Sequence, residues 1–294
     1  CIPENLRNRV INSVSEKRTL VQKALISKNI NLVKLLIKYG AEIFVVPTDG
    51  NSIVHLAIND AEILQQVLAI IEEMIKRDKI VVPKEIGKVL CYAVYENKLL
   101  ELKILLDSCF VQFINTITME ILPVHIACGE GNSEALKILI DAGANVFIPA
   151  QNDQILPIHI ACAKGDVESF KCLINHFLKI IDEKKREGKI TFIQDYLTVR
   201  TKETQMTPLH FAAFRGNIRV AKYLLMLAPE ILNWQSKTGM TALHNAVSES
   251  HILCVKLLCI NNSNLFIKDK NGNNTIVYAG FKNRFYSLLG FGGV

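Results

Sequence analysis

Apolar positions along this chain fall into short helical stripes separated by small-residue turns. In Asn132-Ser133-Glu134-Ala135-Leu136-Lys137-Ile138-Leu139-Ile140-Asp141-Ala142-Gly143-Ala144, apolar side chains at 135, 136, 138, 139 and 140 make one helical face. Gly143 is placed to take the left-handed conformation that ends a helix. Asn31-Leu32-Val33-Lys34-Leu35-Leu36-Ile37-Lys38-Tyr39-Gly40-Ala41 repeats the pattern near the start, and Asn217 to Leu225 repeats it again. Each stripe is preceded by a shorter one. Around Met206-Thr207-Pro208-Leu209-His210-Phe211-Ala212-Ala213, Thr207 is a good N-cap and Pro208 sits where a helix can do without an N–H. Leu209, Ala212 and Ala213 then offer a small-residue face for close helix packing.

The histidines set the period. His125 and His159 are 34 residues apart, as are His210 and His244. Their surroundings agree: Leu122-Pro123-Val124-His125-Ile126-Ala127, Leu156-Pro157-Ile158-His159-Ile160-Ala161 and Thr241-Ala242-Leu243-His244-Asn245-Ala246. Ser52 to Ala57, around His55, is a further copy. Cys91 with Ala93, Gln22 with Ala24, and Tyr278 mark degenerate ones. The gap from His159 to His210 is 51 residues, so 17 extra residues must be absorbed at about 176–198. The spacing there predicts a lengthened helix, a turn at Gly188 and a short returning helix over Ile190, Phe192, Ile193, Tyr196 and Leu197.

Thr207-Pro208-Leu209-His210-Phe211-Ala212 matches the Thr-Pro-Leu-His-x-Ala signature of the ankyrin repeat, whose period is about 33 residues. The chain therefore resembles the ankyrin-repeat family over nearly its whole length. The resemblance implies an all-α solenoid of seven to eight helix pairs linked by short β-hairpin-like fingers. It is read as one domain over 1–294, with units at about 20–48, 49–84, 85–118, 119–152, 153–203, 204–237, 238–271 and an incomplete 272–294. His55, His125, His159, His210 and His244 take a structural role in this frame, bridging the backbone groups of neighbouring loops through both ring nitrogens.

Composition narrows the chemistry. Half of the 294 residues are hydrophobic and the mean hydropathy is +0.23, enough for a continuous core. The formal charge of +6 is mildly basic, but no dense Lys/Arg block points to nucleic acid. Eight cysteines show no CxxC pair, and Cys128 and Cys162 share one repeat position, which reads as buried thiols in a reducing compartment. No signal peptide is visible and no stretch is long enough to span a bilayer; Lys256 interrupts the most apolar run near the end. The first residue is Cys1 rather than Met, which predicts an excised or processed piece. The apolar tail from Phe281 to Phe291 predicts that more chain or a partner covers that end.

No catalytic, cofactor or metal site is expected. Histidines one repeat apart cannot converge on one ion, and no GxGxxG, Walker-type or HExxH motif occurs. The resemblance implies instead a concave binding face made of finger tips and first helices. In that frame the first helices present Tyr95, Glu130, Lys164, Phe214 and Arg215, and the tips carry Ile121, Ile155, Met206 and Met240, with Trp234 on the same finger system. Apolar anchors flanked by cations suit an acidic or amphipathic segment. The expected function is a non-enzymatic protein–protein interaction module, monomeric and cytoplasmic. The Ile-, Lys- and Asn-rich text fits a microbial effector acting in host cytoplasm. The alternatives are a substrate-recruiting domain of a larger enzyme and a cytoplasmic repeat domain of a membrane protein.

Overall fold

A computed structural model describes residues 11–14, 18–46, 51–78, 80–118, 120–150, 153–186 and 192–281, with backbone alone for residues 184, 186 and 281. The expected turn at Gly188 and the apolar tail lie outside the described residues. Among the described residues every regular element is an α-helix or a 3₁₀ turn, and no strand forms. The chain divides into two compact units, residues 1–123 and 124–294.

In the first unit the helices come in pairs: α1 Leu20–Ile26 with α2 Ile30–Lys38, α3 Ile53–Ala57 with α4 Ala61–Asp78, and α5 Lys88–Tyr95 with α6 Leu99–Leu106. Helices α1, α3 and α5 pack side by side, and α2, α4 and α6 form the second layer. The starts of α1 and α3 have a local cause. Thr19 and Gln22 close a reciprocal capping box, with Gln22 N donating to Thr19 Oγ1 at 3.3 Å and Thr19 N donating to Gln22 Oε1 at 3.0 Å. Ser52 Oγ accepts from His55 N at 3.4 Å. The long α4 absorbs the extended second half of its repeat, and a 3₁₀ turn over Lys84–Gly87 takes up the remaining slack.

The second unit repeats the plan: α7 Pro123–Glu130 and α8 Ser133–Asp141; α9 Pro157–Lys164 and α10 Val167–Arg186; α12 Pro208–Phe214 and α13 Ile218–Leu227; α14 Ala242–Ser248 and α15 Ile252–Ile260; then α16 Thr275–Phe281. One layer is the row α9, α12, α14, α16, and the other is α8, α10, α13, α15. Leu209, Ala212 and Ala213 are fully buried between first helices, as are Ala161 and Cys162. Asn132 Oδ1 caps α8 by accepting from Ala135 N at 2.9 Å. Gly143 ends α8 at φ 92°, while Ala144 N closes the turn on Leu139 O at 2.9 Å.

The described residues of the insertion are packed. Helix α10 runs on for 20 residues, and the short helix α11, Ile193–Leu197, returns against α10 and α13. Tyr196 on α11 is buried and stacks on Phe177 at 4.7 Å between centroids, with Phe147 edge-on at 5.4 Å. Three aromatic rings thus pin the insertion to the second-helix layer.

Candidate interaction surface

The signature histidines act between repeats. His210 Nδ1 accepts from Thr207 N at 3.2 Å, which leaves Nε2 as the protonated nitrogen, and Nε2 donates to Met240 O at 3.1 Å. His125 Nε2 reaches Ile155 O at 3.2 Å. In the repeat carrying the insertion, His159 Nδ1 accepts from Leu156 N at 3.1 Å and Nε2 reaches Val199 O at 3.2 Å. Met206 O, the counterpart of Ile155 O and Met240 O, keeps its finger-closing bond from Thr201 N at 3.0 Å. His244 Nδ1 accepts from Thr241 N at 3.1 Å, but its buried Nε2 has no hydrogen-bond partner among the described residues. Burial pushes His125, His159 and His210 down to about 4, so these imidazoles are neutral. His55 is half-buried, with Nδ1 2.7 Å from Ser52 Oγ.

Each finger of the second unit is a tight turn closed by one backbone bond: Ala150 N to Ile155 O, Thr201 N to Met206 O, Ser236 N to Met240 O, and Asp269 N to Asn273 O, at 2.8–3.0 Å. Successive fingers are tied by Lys202 N to Asp153 O, Lys237 N to Thr204 O and Lys270 N to Thr238 O, at 2.9–3.0 Å. The Asp153 carboxylate accepts from Thr204 Oγ1 and from the amides of Glu203 and Thr204. Burial alone raises Asp153, but these bonds hold it below its ordinary range. The lysine amides are fixed while the ammonium groups stay exposed, giving an edge with Arg200, Lys202, Lys237, Lys268 and Lys270. Arg200 Nη1 donates to Gln235 O at 3.0 Å and its guanidinium lies 4.5 Å over the half-buried Trp234 ring.

In the second unit Glu130, Lys164, Phe214 and Arg215 are exposed at the C-terminal ends of α7, α9 and α12. Helices α9 and α12 pack side by side, which makes Lys164, Phe214 and Arg215 neighbours. Ile155, Met206 and Met240 are half-buried, their main chain spent on finger closure. In the first unit Tyr95 is exposed at the end of α5 and Ile121 is half-buried.

Two connections escape the motif. Asn217 occupies the N-cap position of α13 but donates through Nδ2 to Cys162 O at 2.9 Å and Ala163 O at 2.7 Å. His251, 34 residues on, reaches Phe214 O at 2.9 Å through Nε2. A side chain at Gly165 or Gly216 would collide with Asn217 or His251, so these glycines keep the reach open. His251 therefore belongs to the repeat frame, and its 34-residue distance from Asn217 was the available signal.

A family model of ankyrin repeats matches in three copies, over residues 90–184, 124–231 and 158–271, together more than half of the chain. The chain belongs to the ankyrin-repeat family. A stretch of 52 residues is also 40% identical to the transient receptor potential channel pyrexia of Drosophila melanogaster, covering 18% of this chain and 5% of that protein. This ankyrin chain thus spans a small part of that relative's length. Among the described residues no His/Cys/Asp/Glu group is placed to hold a metal ion, and no helix is long and apolar enough to cross a membrane.

Proposed function

We propose that this ankyrin-repeat chain is a non-enzymatic module that takes an acidic segment of a protein partner along the finger edge and first-helix ends of residues 124–294. The observation that carries the reading is the finger edge. Lys202, Lys237 and Lys270 are held at successive fingers by their own amides, so their charges are presented on a fixed backbone. Phe214 and Arg215 extend the surface with an exposed ring and a guanidinium 5.7 Å from it. Half-buried Ile155, Met206 and Met240 add apolar edges, and Glu130, Lys164 and Trp234 bound the surface. Tyr95 and Ile121 are proposed as separate contact residues of the first unit. The module acts as a monomer in the cytoplasm.

Cation-led recognition weakens with salt because exposed charges are screened within about 8–10 Å at physiological ionic strength. The test is affinity capture with wild type, Phe214→Ala/Arg215→Ala, Lys202→Glu/Lys237→Glu and the control Lys137→Ala. A partner retained by wild type and control but lost from both surface variants supports the proposal. A partner retained by all four overturns the assignment.

The match to a channel supports a second reading, the repeat domain of a membrane protein. Sequencing the reading frame on either side for an apolar span of roughly 20 residues separates the two.

A further inference from the structure

The second-helix layer of residues 124–294 changes character along the repeats. Its exposed faces carry charges of both signs on α8 (Glu134, Lys137, Asp141) and α10 (Glu168, Lys179, Asp182). On α13 and α15 the carboxylates disappear. What remains exposed is Arg219, Lys222 and Tyr223 with Met226 at 69% exposure, then Lys256 with Leu253 at 62% and Ile260 at 79%. Apart from Lys256, helix α15 is apolar on every side, a composition that ordinarily belongs to a buried helix. Between α10 and α13 lies a trough of about 550 Å³ bounded by Val167, Glu168, Lys171, Arg219, Lys222, Tyr223 and Met226, where the one carboxylate, Glu168, is paired with Lys171.

The lysines are in register. Lys137, Lys171, Lys222 and Lys256 occupy one repeat position on four successive second helices. Lys171 is paired with Glu168 at 2.9 Å and sits 5.8 Å over the Tyr223 ring; Arg219, Lys222 and Lys256 have no carboxylate partner among the described residues. Packed helices lie about 8–10 Å apart, so the ammonium groups recur at roughly that interval across the layer. One heptad of an α-helix rises about 10 Å.

We infer that the outer faces of α13 and α15, with the trough beside α10, bind an acidic amphipathic helix of a protein partner laid across the three helices. Its carboxylates at heptad spacing meet Lys222 and Lys256, and its apolar residues between them cover Tyr223, Met226, Leu253 and Ile260. Charge selects this occupant. A second copy of the chain would bring cations against cations, and a bilayer surface would leave the trough unfilled. This surface lies in the other helix layer from the finger edge and does not depend on the reading given for that edge.

The test uses the whole chain and a labelled, side-chain-stapled peptide of roughly 18 residues, with Glu at heptad spacing and Leu between. A charge-reversed Lys version, a same-composition version with the Glu residues moved off the face, and phosphatidylserine-containing vesicles complete the set. The Glu peptide is expected to bind and the two altered peptides not to. Lys222→Glu/Lys256→Glu and Met226→Asp/Leu253→Asp are each expected to weaken binding by roughly tenfold or more, with unchanged thermal melting because these side chains are exposed. Several results overturn the inference: no binding of the Glu peptide, equal binding of either altered peptide, binding of vesicles alone, or self-association in sedimentation. Loss of binding in Phe214→Ala/Arg215→Ala but in neither second-layer variant overturns it too, by moving the peptide to the first helices.

Discussion

His210 Nε2 donates to the carbonyl oxygen of Met240 at 3.1 Å, thirty residues further along the chain. The same ring takes Thr207 N on its other nitrogen, so one side chain fixes the start of its own helix and the finger of the next repeat. His244 completes only the first half, because its Nε2 is unpartnered. Removing His210 strands the buried Thr207 N–H and takes from Met240 O one of its two hydrogen bonds, whereas removing His244 strands Thr241 N alone. His210→Ala is therefore expected to cost roughly 1–3 kcal/mol and His244→Ala less. His176→Ala, half-buried on α10 and without a hydrogen bond among the described residues, should change little. Urea denaturation of the three variants reads this order, and equal losses would contradict the relay.

The same histidines make stability depend on pH. His125, His159 and His210 sit near 4 in the fold because burial disfavours the imidazolium, against 6.5 in the unfolded chain. Between those values the unfolded chain binds more protons, so stability is full above 6.5 and is lost as pH falls toward 4. Each histidine costs the fold on the order of 3 kcal/mol by the bottom of that window. The urea midpoint should fall steadily from about pH 7 to pH 5, and more gently in His210→Gln. A flat profile would remove the neutral-histidine assignment.

Spacing made much of this visible. Histidines 34 residues apart in two pairs, with Pro or Ala behind the cap and Gly143 at a helix end, mark helix pairs whatever their neighbours are. The lengthened α10 and returning α11 followed from the 17-residue surplus together with the apolar spacing within it. The contacts between repeats did not. Asn217 stands where a cap residue stands, yet its amide spans to Cys162 and Ala163, and nothing local distinguishes it from Asn132, which caps its own helix. Only the geometry of the stack decides which neighbour a polar side chain finds. The insertion shows the same limit: His159 keeps its role but turns to Val199, because the surplus residues reroute the backbone it meets. The cationic finger edge was partly hidden for a related reason. Arg200, Lys202, Lys237 and Lys270 are scattered in sequence and gathered by the rungs between fingers.

Burial governs the thiols. Cys128 and Cys162 are fully buried and pushed well above the usual thiol range, and Cys91 and Cys254 are pushed up to about 11, in each case first of all by burial. Nucleophilic thiolate is scarce at all four. Cys109, Cys172 and Cys259 are half-buried. A maleimide pulse on native protein, read by peptide mass spectrometry, should label these three before the other four. Cys128 and Cys162 should react only on unfolding. Rapid native labelling of Cys162 would place a reactive thiol where none is expected.

Tyr196 separates an anchoring insertion from a tolerated one. Its ring lies on Phe177 and Phe147, while its buried hydroxyl has no hydrogen-bond partner among the described residues. The ring and the hydroxyl should therefore have opposite effects. Removing the ring leaves a cavity among α10, α11 and the residues before α9, and a buried aromatic cut back to Ala typically loses 3–5 kcal/mol. Removing only the hydroxyl relieves an unsatisfied polar group, so Tyr196→Phe should be neutral or stabilising by up to about 1–3 kcal/mol. Denaturation of the two variants decides between the roles. If Tyr196→Ala is as stable as wild type, the insertion is a passenger on the helix layer and the aromatic stack holds nothing together. If Tyr196→Phe is the more damaging change, the hydroxyl has a partner and the packing account of α11 fails.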